Sequence, residues 1–136
     1  MKKIVIDTNL YVSALINSNS RKRLDLILIN DSLEILLDNS LLKELLEVSS
    51  RPKFSKYVSP EQVESFLNLI TERGNFVETS SVVRLSPDPK DDFLLALCKD
   101  GKADYLLTGN KIDLLDLKQF EQTTILSLTQ FLSLNL

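Results

Sequence analysis

Four acidic residues, Asp7, Glu44, Asp91 and Asp113, stand where a chain of alternating strands and helices would gather them. Asp7 ends a short apolar run, residues 3–6 (KIVI), and is followed by two more small polar residues, Thr8 and Asn9. Asp91 closes the segment Asp88-Pro89-Lys90-Asp91, and Asp113 comes shortly after the apolar run at residues 105–108 (YLLT). Carboxylates brought together repel one another and raise their own pKa values, a penalty that a divalent cation between them removes. With oxygen ligands alone the expected ion is Mg²⁺ or Mn²⁺, which take carboxylates and water in octahedral geometry. Such a site polarises a phosphoryl oxygen, activates a water and orients in-line displacement.

Each acid also has an ordinary structural reading. Asp7 could cap the helix after its strand. Glu44, at 100° per residue, falls between Leu41, Leu45 and Val48 on one side and Lys43 and Glu47 on the other, the usual place of a half-exposed surface Glu. Asp91 stands three after Asp88, and Asp113 three after Asn110, so both could simply favour a helix dipole, by roughly 0.3–1 kcal/mol. Taken singly, Asp91 and Asp113 favour the structural reading. Jointly the pattern is harder to dismiss, because Asp7, Asp91 and Asp113 all fall on the carboxyl edge of the expected sheet.

Composition narrows the chemistry further. The chain has 136 residues and no histidine, so Ser-His-Asp and Cys-His systems and imidazole-ligated zinc are excluded. One cysteine, Cys98, excludes an intramolecular disulfide and a cysteine-based zinc site and suits a reducing cytoplasm. The net charge of −3 does not by itself draw the molecule to nucleic acid. Two local basic clusters, Arg21-Lys22-Arg23 and Arg51/Lys53/Lys56, have the ordinary reading of solvated surface, but both could flank the crevice and hold phosphates, with Arg21, Arg23, Arg51 and Lys53 as the candidate contacts. Phe54 and Tyr57 beside the second cluster could stack on bases or pack in the core. No glycine-rich phosphate loop, nucleotide fingerprint or GxSxG elbow is present.

The elements that must position these residues can be read in order. Residues 3–6 read as a buried strand and residues 10–16 as a mostly buried helix; a polar break at 17–20 precedes a second helix over 21–29. A strand is expected at 33–37, then cap residues 38–40 and a helix at 41–48. Ser59-Pro60-Glu61-Gln62 starts a helix with a capping box, Val63, Phe66, Leu67 and Ile70 form its apolar stripe, and Gly74 closes it in the C′ role. Short strands follow at 76–79, 105–108 and 123–126. Helices follow at 88–101, 111–117 and 127–134. At this length a single domain, residues 1–136, is expected to bury ~68–70% of its extended-chain surface. Strands alternating with helices argue for a parallel sheet covered on both faces. Residues 1–4 lead straight into a strand with no leader-like segment, and no stretch approaches the ~18–20 apolar residues of a membrane span.

The opening IVIDTN, the run DPKDDFLLALCKDGKADYLLTGN and the IDLL after it resemble the PIN-domain ribonucleases, in particular the VapC-like toxin components of toxin–antitoxin systems. The resemblance extends over essentially the whole chain. It implies a three-layer α/β/α sandwich with a central parallel sheet and a Mg²⁺- or Mn²⁺-dependent endoribonuclease acting on single-stranded RNA. Carried over residue by residue, Asp7 is the family's first acid, Glu44 the helix acid and Asp91 the acid of the DPKD segment. Much of this branch has TGD where this chain has Thr108-Gly109-Asn110. Related toxins carry a T-x-N-x-x-D pattern that Thr108, Asn110 and Asp113 fit, which makes Asp113 the fourth acid. Thr8, Asn9, Thr108 and Asn110 become supporting groups. A cognate antitoxin, a homodimer and a cytoplasmic location are further implications.

The rival from another class is a PIN-like scaffold without chemistry that binds RNA or a protein partner. A phosphoacceptor receiver domain, also doubly wound and acidic, needs an acceptor Asp after its third strand. Thr79 and Ser80 stand there instead.

Overall fold

The computed structural model describes the chain from Met1 to Leu136 apart from Pro87 and Asn110. Its first strand, β1 (Lys2–Ile6), is central: Ile4, Val5 and Ile6 are fully buried. A continuous apolar run is what a parallel strand covered on both faces requires. Asp7 ends it by capping α1 (Thr8–Ile16) through a hydrogen bond from the Asn9 amide. Next come α2 (Ser18–Leu28), β2 (Leu33–Leu37), α3 (Asn39–Ser49) and α4 (Pro60–Arg73). The second half holds β3 (Asn75–Phe76), α5 (Asp92–Gly101), β4 (Tyr105–Thr108), α6 (Ile112–Leu117), β5 (Gln119–Phe120), β6 (Thr123–Ser127) and α7 (Leu128–Leu132).

Among the described residues the sheet has six strands in the order β3-β2-β1-β4-β6-β5, all parallel except the β5–β6 pair. Ile4 pairs with Ile35 on one side of β1 and with Tyr105 on the other. Helices flank this sheet, giving the expected three-layer α/β/α sandwich. The chain runs outward from β1 to β2 and β3, then returns to place β4 on the other side of β1. The crevice beyond the carboxyl ends of β1 and β4 is therefore the topological switch point, where open α/β sheets bind ligands. Among the described residues no helix is long and apolar enough to cross a membrane.

Several local expectations change. The polar break at 17–20 shrinks to Asn17, which ends α1 and caps α2 by accepting from the Ser20 amide. Only one residue in a row of cap-type side chains is needed to cap. The strand expected at 76–79 is instead Asn75–Phe76, paired with Leu36 and Leu37. Gly74 is not left-handed: its φ is −88°. A side chain there would place its Cβ 2.5 Å from Leu37 Cδ1 and 3.2 Å from the Ile35 carbonyl oxygen, so close approach is what calls for glycine. The Ser59–Gln62 capping box is present as read. The antiparallel β5 is additional, turned back on β6 with Lys118 and Glu121 at positive φ and no glycine to announce it.

Candidate active site

Asp7 is 1% exposed and Asp91 3% exposed, although they come from distant parts of the chain. The Asp7 amide donates to the Leu107 carbonyl at 2.8 Å, extending the β1–β4 ladder by one bond and fixing where its side chain starts. Its Oδ1 accepts from the Asn9 amide at 3.2 Å and its Oδ2 from the Thr108 hydroxyl at 2.9 Å. Burial pushes the Asp7 carboxyl above its ordinary pKa, against the pull of the Lys111 ammonium, the Thr108 hydroxyl and the Asn9 amide; the nearby Asp91 charge adds to the rise.

Asp91 ends a 3₁₀ turn, Pro89–Asp91, that leads into α5 and is capped by Asp88, whose side chain accepts from the Lys90 amide at 3.1 Å. Pro at the start of the turn presets its φ and surrenders no needed donor. The Lys111 Nζ, from the start of α6, donates to Asp91 Oδ1 at 2.5 Å. Burial works against the charge of Lys111. The hydrogen bond to Asp91 and the charges of Asp7, Asp91 and Asp88 together outweigh it and hold the ammonium above its ordinary pKa.

Asp7, Asp91 and Glu44 open on one cleft of about 140 Å³. Glu44 reaches it half-buried from α3, with Val48 and Arg51 below it along the chain. Thr8, Asn9, Asp88, Lys90, Phe93 and Lys111 complete the lining. Thr8 Oγ1 is buried without a hydrogen-bond partner among the described residues. Thr108 is fully buried and supports Asp7 from the side. As the side chains stand, no three acids among the described residues are close enough to share an ion.

The remaining expected residues are placed less centrally. Asp113 is exposed in the first turn of α6 and does not line the cleft. Asn110 lies outside the described residues. Of the four basic candidates Arg51 lines the cleft, 3.4 Å from Glu47. Lys53 lies over the Phe54 ring at 5.0 Å. Arg21 pairs with Asp25 at 2.9 Å and covers Phe66, while Arg23 donates to the Thr129 hydroxyl at 2.6 Å; both line other hollows. Sequence reasoning missed Lys111, Lys90 and Asp88 as parts of the cleft. The signal available for Lys111 was the one that singled out Asp113, a polar side chain just beyond β4 on the ligand-binding edge.

A family model described as PIN domain matches residues 3–112, a span that includes Asp7, Glu44, Asp91 and Lys111. The chain belongs to the PIN-domain family. This PIN domain is 31% identical over 119 residues to the uncharacterized protein MJ1680 of Methanocaldococcus jannaschii, covering 85% of this chain and 75% of that protein. Among solved structures it resembles a chain of VapBC2 from Rickettsia felis, crystallised bound to a DNA fragment from its promoter. The TM-score is 0.59 at 17% identity, covering 92% of this chain and 98% of that one. At that identity the likeness speaks for the PIN fold.

Proposed function

We propose that this PIN-domain protein is a divalent-metal-dependent endoribonuclease that hydrolyses phosphodiester bonds in single-stranded RNA, the toxin of a toxin–antitoxin pair. The observation that carries the reading is the joint burial of Asp7 and Asp91 on one cleft with Glu44, at the switch point of the sheet. Two carboxylates withdrawn from water at one rim are unfavourable unless a positive charge accompanies them.

The donor set fits Mg²⁺ or Mn²⁺ in its chemistry: carboxylate oxygens, an orphaned hydroxyl on Thr8 and no nitrogen or sulfur ligand. Asp7, Glu44 and Asp91 would hold the ion, Glu44 coming in from α3, and Asp113 would act from outside the lining. When bound, the ion supplies charge to a phosphoryl oxygen and activates a water. The chain's own groups do the rest. Thr108 and the Asn9 amide fix the Asp7 carboxylate, Arg51 offers a cation to a neighbouring phosphate, and the Phe93 and Val48 walls limit water in the cleft. A small antitoxin that blocks the cleft, and a second copy of this chain, are the partners of this reading. Cleavage leaving 5′-phosphate and 3′-hydroxyl ends is part of it.

The test is cleavage of single-stranded RNA by the purified protein in Mn²⁺, in EDTA and with Asp7→Asn. Activity that survives both chelation and the substitution would refute it. A second reading, a PIN module that binds RNA or a partner without turnover, is favoured by the Lys111–Asp91 pair, which neutralises a buried carboxylate without metal. It expects binding that persists in Asp7→Asn and no cleavage in any divalent ion.

A further inference from the structure

A lysine ammonium sits where the proposed function asks for a metal ion's charge. Lys111 reaches from the start of α6 to the turn before α5, and its Nζ contacts Asp91 Oδ1 at 2.5 Å. The Asp91 side chain is 4% exposed and that of Lys111 30% exposed, so the pair is partly screened on the lysine side and hardly at all on the aspartate side. Three acids, Asp7, Asp88 and Asp91, act on this one ammonium. Lys90, the other lysine lining the cleft, is exposed and forms no ion pair among the described residues. Drawing a lysine out of water is unfavourable unless negative charge awaits it, and here the carboxylates supply that charge.

We infer that Lys111 is the resident counter-cation of the acid cleft, a positioning residue that holds Asp91 in the metal-free protein and competes with a divalent cation for it. The inference rests on the proposed metal-dependent reading and adds to it the group that sets how tightly the ion binds. An ammonium hydrogen-bonded to Asp91 Oδ1 occupies a position from which the ion would draw an oxygen, and like charges a few ångströms apart repel. Binding of the ion through Oδ1 therefore requires Lys111 to swing away, and binding through Oδ2 sets the two positive charges against each other across one carboxylate. The flexible four-carbon stem and partial exposure of Lys111 allow that motion without disturbing β4.

The experiment titrates the full chain with Mn²⁺, by calorimetry and by the electron paramagnetic resonance of the free ion. Wild type is compared with Lys111→Met and Lys111→Arg. The expected result is an affinity about tenfold or more higher in Lys111→Met, from removal of a neighbouring positive charge, with Lys111→Arg near wild type because the charge is restored. A merely structural lysine would change the melting temperature and leave the Mn²⁺ affinity unmoved, which would overturn the inference. Weaker binding in Lys111→Met would overturn it too. Should Lys111→Met fail to fold, the ¹⁵N signal of the Lys111 ammonium in wild type, identified by its loss in Lys111→Arg, is followed through a Mg²⁺ titration. A signal that shifts toward that of a free lysine supports displacement, and one that stays fixed at saturation contradicts it. Equal Mn²⁺ affinity with RNA cleavage intact defeats this inference alone. Absence of Mn²⁺ binding in wild type and both variants defeats it together with the metal-dependent reading.

Discussion

The Thr108 hydroxyl donates to Asp7 Oδ2 at 2.9 Å, joining the last residue of β4 to the residue that ends β1. Both side chains are buried, and the bond spans the switch point of the sheet. Thr108 and the Asn9 amide, one on each oxygen, thereby fix which way the Asp7 carboxylate faces. Thr108→Val keeps the shape and removes the donor, leaving a buried carboxylate oxygen without that partner. The expected loss is ~1–3 kcal/mol of stability, read from urea denaturation in EDTA, together with slower Mn²⁺-dependent RNA cleavage.

Asp91 and Asp113 are expected to behave differently. Asp91 lies within the cleft and Asp113 is exposed outside its lining. Asp91→Asn is expected to reduce cleavage to background, whereas Asp113→Asn lowers it by about tenfold, the effect of an outer group. Initial rates on a fluorescent single-stranded RNA make the comparison. Equal losses would move Asp113 into the ion's own ligand set.

Asp100 provides a pH dependence independent of the cleft. The Ser81 hydroxyl and the backbone amides of Ser81 and Ser80 donate to its carboxylate and hold its pKa below the ordinary 3.8. A carboxylate whose pKa is lower folded than unfolded contributes stability above the unfolded value and loses it as pH falls through the folded one. Asp100→Asn is therefore expected to be less stable than wild type at pH 7, the gap closing below pH 3.8. Urea denaturation at a series of pH values checks this.

Cys98 is fully buried, and burial pushes its thiol up to about 12 despite the opposing influence of the Thr123 hydroxyl. The thiolate is the reactive form. The native protein is expected to resist Ellman's reagent at pH 8 and to react at its single thiol once denatured. Rapid reaction of the native protein would show that the packing around α5 opens readily.

The sequence made the architecture readable wherever a local signal agreed with the global one. The capping box at Ser59 and Gln62 marks its helix start, and the apolar run before Asp7 marks the central strand. Residues 33–37 form β2 at the expected bounds although Leu and Glu are weak strand formers, because parallel pairing with β1 overrides propensity. The β5 hairpin was not legible: its turn takes positive φ at Glu121, a residue type that gives no such signal. For the site, residue type and edge position singled out Asp7, Asp91 and Asp113, of which Asp7 and Asp91 line the cleft, and the family resemblance added Glu44. Which arginine faces the rim, and that Lys111 crosses to Asp91, depend on how helices settle against the sheet. No spacing along the chain encodes that.

The most direct test of the central claim is a crystal structure in saturating Mn²⁺ with anomalous scattering from the ion. The account predicts a peak within about 2.5 Å of carboxylate oxygens of both Asp7 and Asp91, with Glu44 drawn toward it and Lys111 displaced from Asp91. A cleft without Mn²⁺, with Lys111 still paired to Asp91 at full saturation, would contradict it.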